Sequence, residues 1–305
     1  MSLRALFDVP APAKLNLFLH VVGQRADGHH LLQSVFVLID WADTLHFERR
    51  SDARLSRHDI TAALPPDDLC LRAARALQSA SGTHYGADIS IDKRVPWGAG
   101  LGGGSSDAAS TLLALNKLWG LHWPRQRLHA VAITLGADVP FFVGGQNAWV
   151  EGIGEQLTPF AVPVQSFVLI KPSVSIETRA VFAHPALVRD RRAVILSGFD
   201  ETHIRHIAGP PQNRSQAAGN WSESWGHNDL QAVAELLHPE VKQAAQWLAA
   251  RYGNSRMSGS GSAVFSRIGS ISPAASTPKN EVGHRWTEHL VRSLPEHPLR
   301  RWAAD

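Results

Sequence analysis

The chain has one cysteine, Cys70, in 305 residues. No internal disulfide can form, and no thiolate-rich zinc or iron–sulfur site can be built. Long hydrophobic runs are also missing. The longest uninterrupted apolar stretch, residues 35–39, falls far short of the roughly 20 needed to cross a bilayer. Near the start, Asp8, Pro10 and Pro12 stand where a secretion signal needs an apolar core. A cytoplasmic location is therefore expected. Neither sign of charge dominates: 30 Lys and Arg face 27 Asp and Glu, for a net charge of +3. The basic residues are scattered, with small clusters only at Lys93-Arg94, at 189–192 and at Arg300-Arg301. That pattern argues against a nucleic-acid partner. A weak positive field would suit an anionic small molecule.

What is present reads as an ordinary globular protein. Hydrophobic residues make up 44% and charged residues 19%. At roughly 100–200 residues per domain, the length predicts about two domains. A Pro-containing stretch at 158–163 suggests division into units 1–160 and 161–305. Alternation predicts a first strand through AKLNLFLHV, with Leu15, Leu17, Leu19 and Val21 on one face and Lys14, Asn16 and Phe18 on the other. Further strands are predicted at 35–39, 44–48, 87–93, 166–170 and 263–266. Helices are predicted at 69–80, 106–119 (closed by Gly120), 229–237, 241–252 and 286–293. The mixture lacks a regular βαβ rhythm, so the expected class is α+β. Residues 209–228 and 269–283 are rich in Gly, Pro, Ser and Asn and read as loops.

The central feature is VPWGAGLGGGSSDAAS, residues 95–110. Glycines let backbone approach a ligand without Cβ in the way. A following helix offers unpaired N–H groups and partial positive charge, which together make an anion site. Ser105 and Ser106 add hydroxyls, and Ser106 is a candidate metal ligand. On these residues alone, a Gly/Ser turn capping a helix is the plainer alternative. Gly98, Gly100 and Gly103 satisfy G-x-G-x-x-G, the fingerprint of a dinucleotide oxidoreductase. However, Pro96 interrupts the strand that fingerprint needs, and no acid lies between Asp107 and Asp138 to hold a ribose. Gly104 stands where a Walker A loop needs lysine, so the common phosphate loops fit poorly.

The form from Pro96 to Ser106 resembles the second motif of the GHMP small-molecule kinases. PAPAKLNLFL, from Pro10, resembles their first motif, and RMSGSGSAVF, from Arg256, resembles their third. Within that family, QRADGHH (24–30), GADVPFF (136–142), EGIGEQLT (151–158) and Asn228-Asp229-Leu230 resemble one branch. Its members phosphorylate a cytidine-diphosphate-linked methylerythritol in the non-mevalonate isoprenoid pathway. The resemblance implies a ribosomal-S5-like first domain, a smaller α/β second domain and a cleft between them. It also implies ATP, with Mg2+ carried mainly by the nucleotide phosphates, and a small-molecule substrate. No membrane partner is expected, and the chain would be a monomer or homodimer. Another GHMP kinase, of homoserine or mevalonate type, and a non-catalytic ATP sensor stay open as alternatives.

The same resemblance assigns roles. Asp138 matches the catalytic base, which would take the proton of a substrate hydroxyl. Lys14 matches the catalytic lysine, which would hold that base ionised and stabilise charge on the moving phosphoryl group. Asn16 would orient the substrate hydroxyl or the lysine. Pro96, Gly98, Gly100, Leu101, Gly102, Gly103, Gly104, Ser105 and Ser106 would cradle ATP, with Asp68 near the adenine. His29, His30 and Phe182 would hold the cytosine, and Gly259, Ser260 and Gly261 the substrate diphosphate. Two positions depart from the family. His29 replaces the usual stacking tyrosine, and Asp68 replaces an asparagine, losing its donor.

Overall fold

The computed structural model describes residues 3–193, 226–268 and 286–305. The loops read at 209–228 and 269–283 lie outside the described residues, apart from 226–228. Two long strands, β1 (Ala5–Gln24) and β2 (His30–Arg50), form an antiparallel hairpin. They organise a six-stranded sheet with β3 (Leu55–Asp59), β4 (Gly86–Asp92), β5 (Ala148–Glu151) and β6 (Gln156–Pro159). The runs at 35–39 and 44–48 are thus parts of one strand. Helices α1 (Leu69–Ser81), α2 (Gly103–Leu118), α3 (Arg125–Ile133) and α4 (Val139–Gly144) cover one face of this sheet.

A second, four-stranded sheet runs in the order β10-β7-β9-β8. Its strands are β7 (Ser166–Lys171), β8 (Arg256–Met257), β9 (Val264–Ile268) and β10 (Thr287–Arg292). It is accompanied by α5 (Thr178–Ala183), α6 (Gln231–Leu237) and α7 (Pro239–Tyr252). The two sheets meet through a shared apolar cluster in which Leu15, Leu17 and Val37 of the first pack with Phe167, Leu169 and Phe265 of the second. The layers therefore run helices, sheet, sheet, helices. Residues beyond β10 return to the first unit, where Leu299 and Ala303 join the core under α2. No helix among the described residues is long and apolar enough to cross a membrane.

Two expectations need correction. The helix read at 286–293 is strand β10, paired antiparallel with β7 from Thr287–Lys171 to Arg292–Ser166. Val291 is buried in the inter-sheet cluster while Leu290 is exposed, which is the two-residue alternation of an edge strand. The open edge of β7 decides the conformation; local preference does not. The simple two-faced reading of β1 also fails. Both of its faces are covered, and a register shift lies between Asn16 and Leu19. Phe18 consequently packs in the same cluster as Leu15 and Leu17, away from Lys14.

Candidate active site

The glycine-rich segment crosses the seam between the sheets. Gly100 has φ +72°, and a Cβ built there would lie 2.0 Å from the Ser258 carbonyl oxygen. Only glycine fits, because the loop backbone is pressed against the turn before β9. The Ser258 hydroxyl donates to the Gly100 carbonyl at 2.9 Å, and Ser262 N donates to Gly98 O at 3.1 Å. Gly102, left-handed at φ +70°, caps α2, which starts three residues earlier than the sequence reading. Ser106 N donates to Gly102 O at 2.9 Å as the helix begins. The amides of Gly103, Gly104 and Ser105 precede any intrahelical partner and remain for a ligand.

One cleft of about 390 Å³ gathers most of the expected residues. Lys14, Asn16, Asp138, Pro96, the glycines of the loop, Leu101, Ser105, Gly259, Ser260 and Gly261 all line it. Lys14 and Asn16 come from β1, where two-residue spacing puts both side chains on the same face. Lys14 Nζ donates to Asn16 Oδ1 at 2.5 Å and lies 3.6 Å from Asp138 Oδ2. It also sits 4.4 Å above the Phe36 ring. Burial pushes the Lys14 pKa below the ordinary lysine value, and Asp138 opposes the shift. Asn16 Nδ2 donates to Ser34 Oγ at 3.0 Å, which fixes the amide.

Asp138 precedes α4, the position of an N-cap. Its carboxylate makes no capping hydrogen bond, and its side chain is 30% exposed toward the cleft. The carboxylate is therefore not spent on helix capping. It faces a buried ammonium on one side and open space on the other.

Two assigned residues are committed elsewhere. Ser106 is fully buried and its hydroxyl donates to the Pro12 carbonyl at 2.7 Å, so it does not line the cleft. Asp68 accepts from the amides of Cys70 (3.2 Å) and Leu71 (3.1 Å) and pairs with Arg57 at 2.5 Å. It caps α1, and its neighbour Leu69 reaches the cleft instead. The family's asparagine position is thus a helix cap here, a role carboxylate performs equally well.

A second pocket, of about 830 Å³, adjoins the first. His29, His30 and Phe182 line it, with Gln24 and Arg189. The His30 and Phe182 rings lie 5.0 Å apart. His29 sits on an exposed turn, its backbone and ring bonded to Asp27. Leu32 and Ile153 line both pockets, so the two adjoin there. A third pocket, about 550 Å³, opens on the other side of the loop between residues 62–65 and Lys93, Val95 and Trp97.

Several lining residues were not singled out from sequence. Lys93 is held between Asp43 and Asp107 and lies just behind Gly103. Burial, and then Asp43, drive the Asp107 carboxyl well above the usual range. Thr178 Oγ1 lies 2.7 Å from Ser260 Oγ across the cleft. Lys93 and Arg189 were visible only as members of small basic clusters.

Two family models match: the N-terminal domain of GHMP kinases over residues 68–146 and the C-terminal domain over residues 212–286. A 4-diphosphocytidyl-2-C-methyl-D-erythritol kinase of Methylibium petroleiphilum is 58% identical, over 99% of this chain and 100% of its own length. One of Polaromonas naphthalenivorans is 50% identical over 98% and 97%. The crystal structure of a 4-(cytidine 5'-diphospho)-2C-methyl-D-erythritol kinase is 34% identical, with a TM-score of 0.66 over 86% of this chain and 88% of that one.

Proposed function

The chain belongs to the 4-diphosphocytidyl-2-C-methyl-D-erythritol kinase family of GHMP kinases, and from that footing we propose how it works. It is a phosphotransferase acting on an alcohol group, a cytoplasmic enzyme of non-mevalonate isoprenoid synthesis. It moves the γ-phosphoryl group of ATP to the 2-hydroxyl of 4-diphosphocytidyl-2-C-methylerythritol and releases ADP. The observation that carries this reading is that the two pockets adjoin, sharing Leu32 and Ile153 in their linings. A substrate with a base at one end and a polyol at the other needs such a groove.

The residues divide the work. Unit 1–160 holds ATP and the reacting hydroxyl; unit 161–305 supplies the opposite wall. The amides of Gly103, Gly104 and Ser105 bind phosphate oxygens at the positive end of α2. The third pocket takes the adenine, with Trp97 at its edge. Gly259, Ser260 and Gly261 bind the substrate diphosphate, while His29, His30 and Phe182 hold the cytosine. Asp138 accepts the proton of the attacking hydroxyl. Lys14, charged and dehydrated, lies 3.6 Å from the Asp138 carboxylate and stabilises the transferring group. Asn16 holds the lysine in place.

Among the described residues no group of three or more His, Cys, Asp or Glu is arranged to hold a metal ion. The donor set fits Mg2+ bound mainly by ATP phosphates and water, with the Ser105 hydroxyl as an oxygen donor in the cleft. The ion would neutralise phosphate charge. The protein's own contribution is positioning and the Lys14–Asp138 pair.

A coupled ADP-release assay with ATP and magnesium tests the reading. The cytidyl substrate is compared with mevalonate and homoserine. Release with the cytidyl substrate alone is expected. Release only with mevalonate or homoserine would keep the fold and overturn the base pocket.

A further inference from the structure

His30 begins β2, and its Nε2 lies 3.0 Å from Nε of Arg189. A guanidinium only donates. Nε2 therefore offers a lone pair, and the neutral ring carries its proton on Nδ1. The rest of the guanidinium is tied to backbone of the second unit. Nη1 donates to Leu187 O at 2.9 Å; Nη2 donates to Phe182 O at 3.0 Å and His184 O at 2.9 Å. These carbonyls surround the end of α5, so one arginine caps that helix, fixes the backbone bearing the Phe182 ring and reaches across to His30. Burial, Arg189 and His29 lower the His30 pKa and keep the ring neutral.

His30 Nδ1 has no hydrogen-bond partner among the described residues, and His30 lines the pocket. Gln24, in the same pocket, donates its Nε2 to Gly28 O at 2.9 Å, which leaves Oε1 as an acceptor. His30 thus offers the pocket a donor and Gln24 an acceptor. Cytosine presents the complement: a ring-nitrogen acceptor beside an amino donor. Uracil presents the reverse, a ring N–H beside a carbonyl.

We propose that Arg189 is a positioning residue that fixes the tautomer of His30 and thereby makes the pocket select cytosine over uracil. The proposal rests on the reading of this pocket as the base site. Selection arises because the wrong base leaves the polar groups of the pocket unpaired.

The test uses the full chain with CDP and UDP as probes. Long-range proton–nitrogen NMR reads the His30 tautomer, with His30→Ala identifying its signals. Expected are the Nδ1–H tautomer and a preference for CDP of about tenfold or more. Arg189→Met is expected to release the tautomer and bring the CDP/UDP ratio to within about threefold. Arg189→Lys keeps the charge without the planar fork and should lose the ratio as well. An Nε2–H tautomer of His30 in the unmodified protein would overturn the proposal. So would a full ratio retained by either arginine variant. If His30→Ala leaves CDP binding unchanged, the base-site reading itself has failed. If His30→Ala weakens CDP binding while Arg189→Met keeps the ratio, only the role of Arg189 is lost.

Discussion

The groove has two ends built on different plans. At the proposed phosphoryl end, Lys14 and Asn16 stand on a long strand covered on both faces, and their side chains are held by several partners. At the base end, His29 lies on an exposed turn and Phe182 on a six-residue helix from the other unit. Arg189 and the contact between the His30 and Phe182 rings tie the walls together there. Chemistry that depends on a fraction of an ångström is mounted on the rigid sheet. Recognition of a flat base tolerates softer walls, so a substitution such as His29 for tyrosine can be accommodated there.

The largest effects should fall at the rigid end. Asp138→Asn removes the proposed proton acceptor and is expected to lower kcat by about 10²–10⁴-fold. Lys14→Met should cost about 10²–10³-fold. Both variants should stay folded, which circular dichroism and steady-state kinetics together check. Near-normal turnover in either would erase the contrast between the ends. The Lys14 pKa also sets a pH limb. The proposed mechanism requires the ammonium, whose pKa is lowered by burial, so kcat should fall on the alkaline side at a pH below the ordinary lysine value.

Gly100→Ala should come next. It puts a Cβ onto the Ser258 carbonyl at a left-handed φ, which should cost at least about 2 kcal/mol in denaturant unfolding and raise the KM for ATP. An unchanged midpoint would mean that the seam between loop and second sheet is looser than described.

Acid sensitivity should come from histidines outside both ends. His20, buried with neither ring nitrogen bonded among the described residues, has its pKa lowered to about 4, and His297 to about 3, mainly by burial. In the unfolded chain each titrates near 6.5. As pH falls below that value, the unfolded chain binds protons that the folded one refuses, so stability drops toward pH 3. His297 alone should contribute about 2 kcal/mol of this loss by pH 5. Its Nδ1 accepts from Leu299 N at 3.0 Å. His297→Asn keeps an acceptor but cannot titrate, so its unfolding midpoint should depend less steeply on pH between 7 and 5.

The smallest effect is expected at the soft end. His29→Tyr adds stacking area and should leave the KM for the cytidyl substrate unchanged or a few-fold lower. A large rise would mean that this turn does not face the base.

Much of this was legible in the sequence. Glycine spacing located the loop that lines the cleft, and two-residue alternation put Lys14 beside Asn16. The resemblance brought in Asp138, whose single carboxylate before a proline has no chemical signature of its own. Other features depended on tertiary context. Strand β10 forms because β7 has a free edge, which no local pattern encodes. Asp68 and Ser106 carry suitable chemistry, but Arg57 with the α1 amides and the Pro12 carbonyl claim them. Arg189 looked like one of several surface charges, because its partners are carbonyls and a ring from distant parts of the chain.

The most direct test follows phosphorus itself. ATP, magnesium and 4-diphosphocytidyl-2-C-methylerythritol are incubated with the protein and with Asp138→Asn, and the products are read by phosphorus NMR. The account predicts a new phosphomonoester on the 2-position of the methylerythritol, with the substrate diphosphate intact, and very slow formation by the variant. Inorganic phosphate without ester, or an ester formed equally fast without the Asp138 carboxylate, would contradict it.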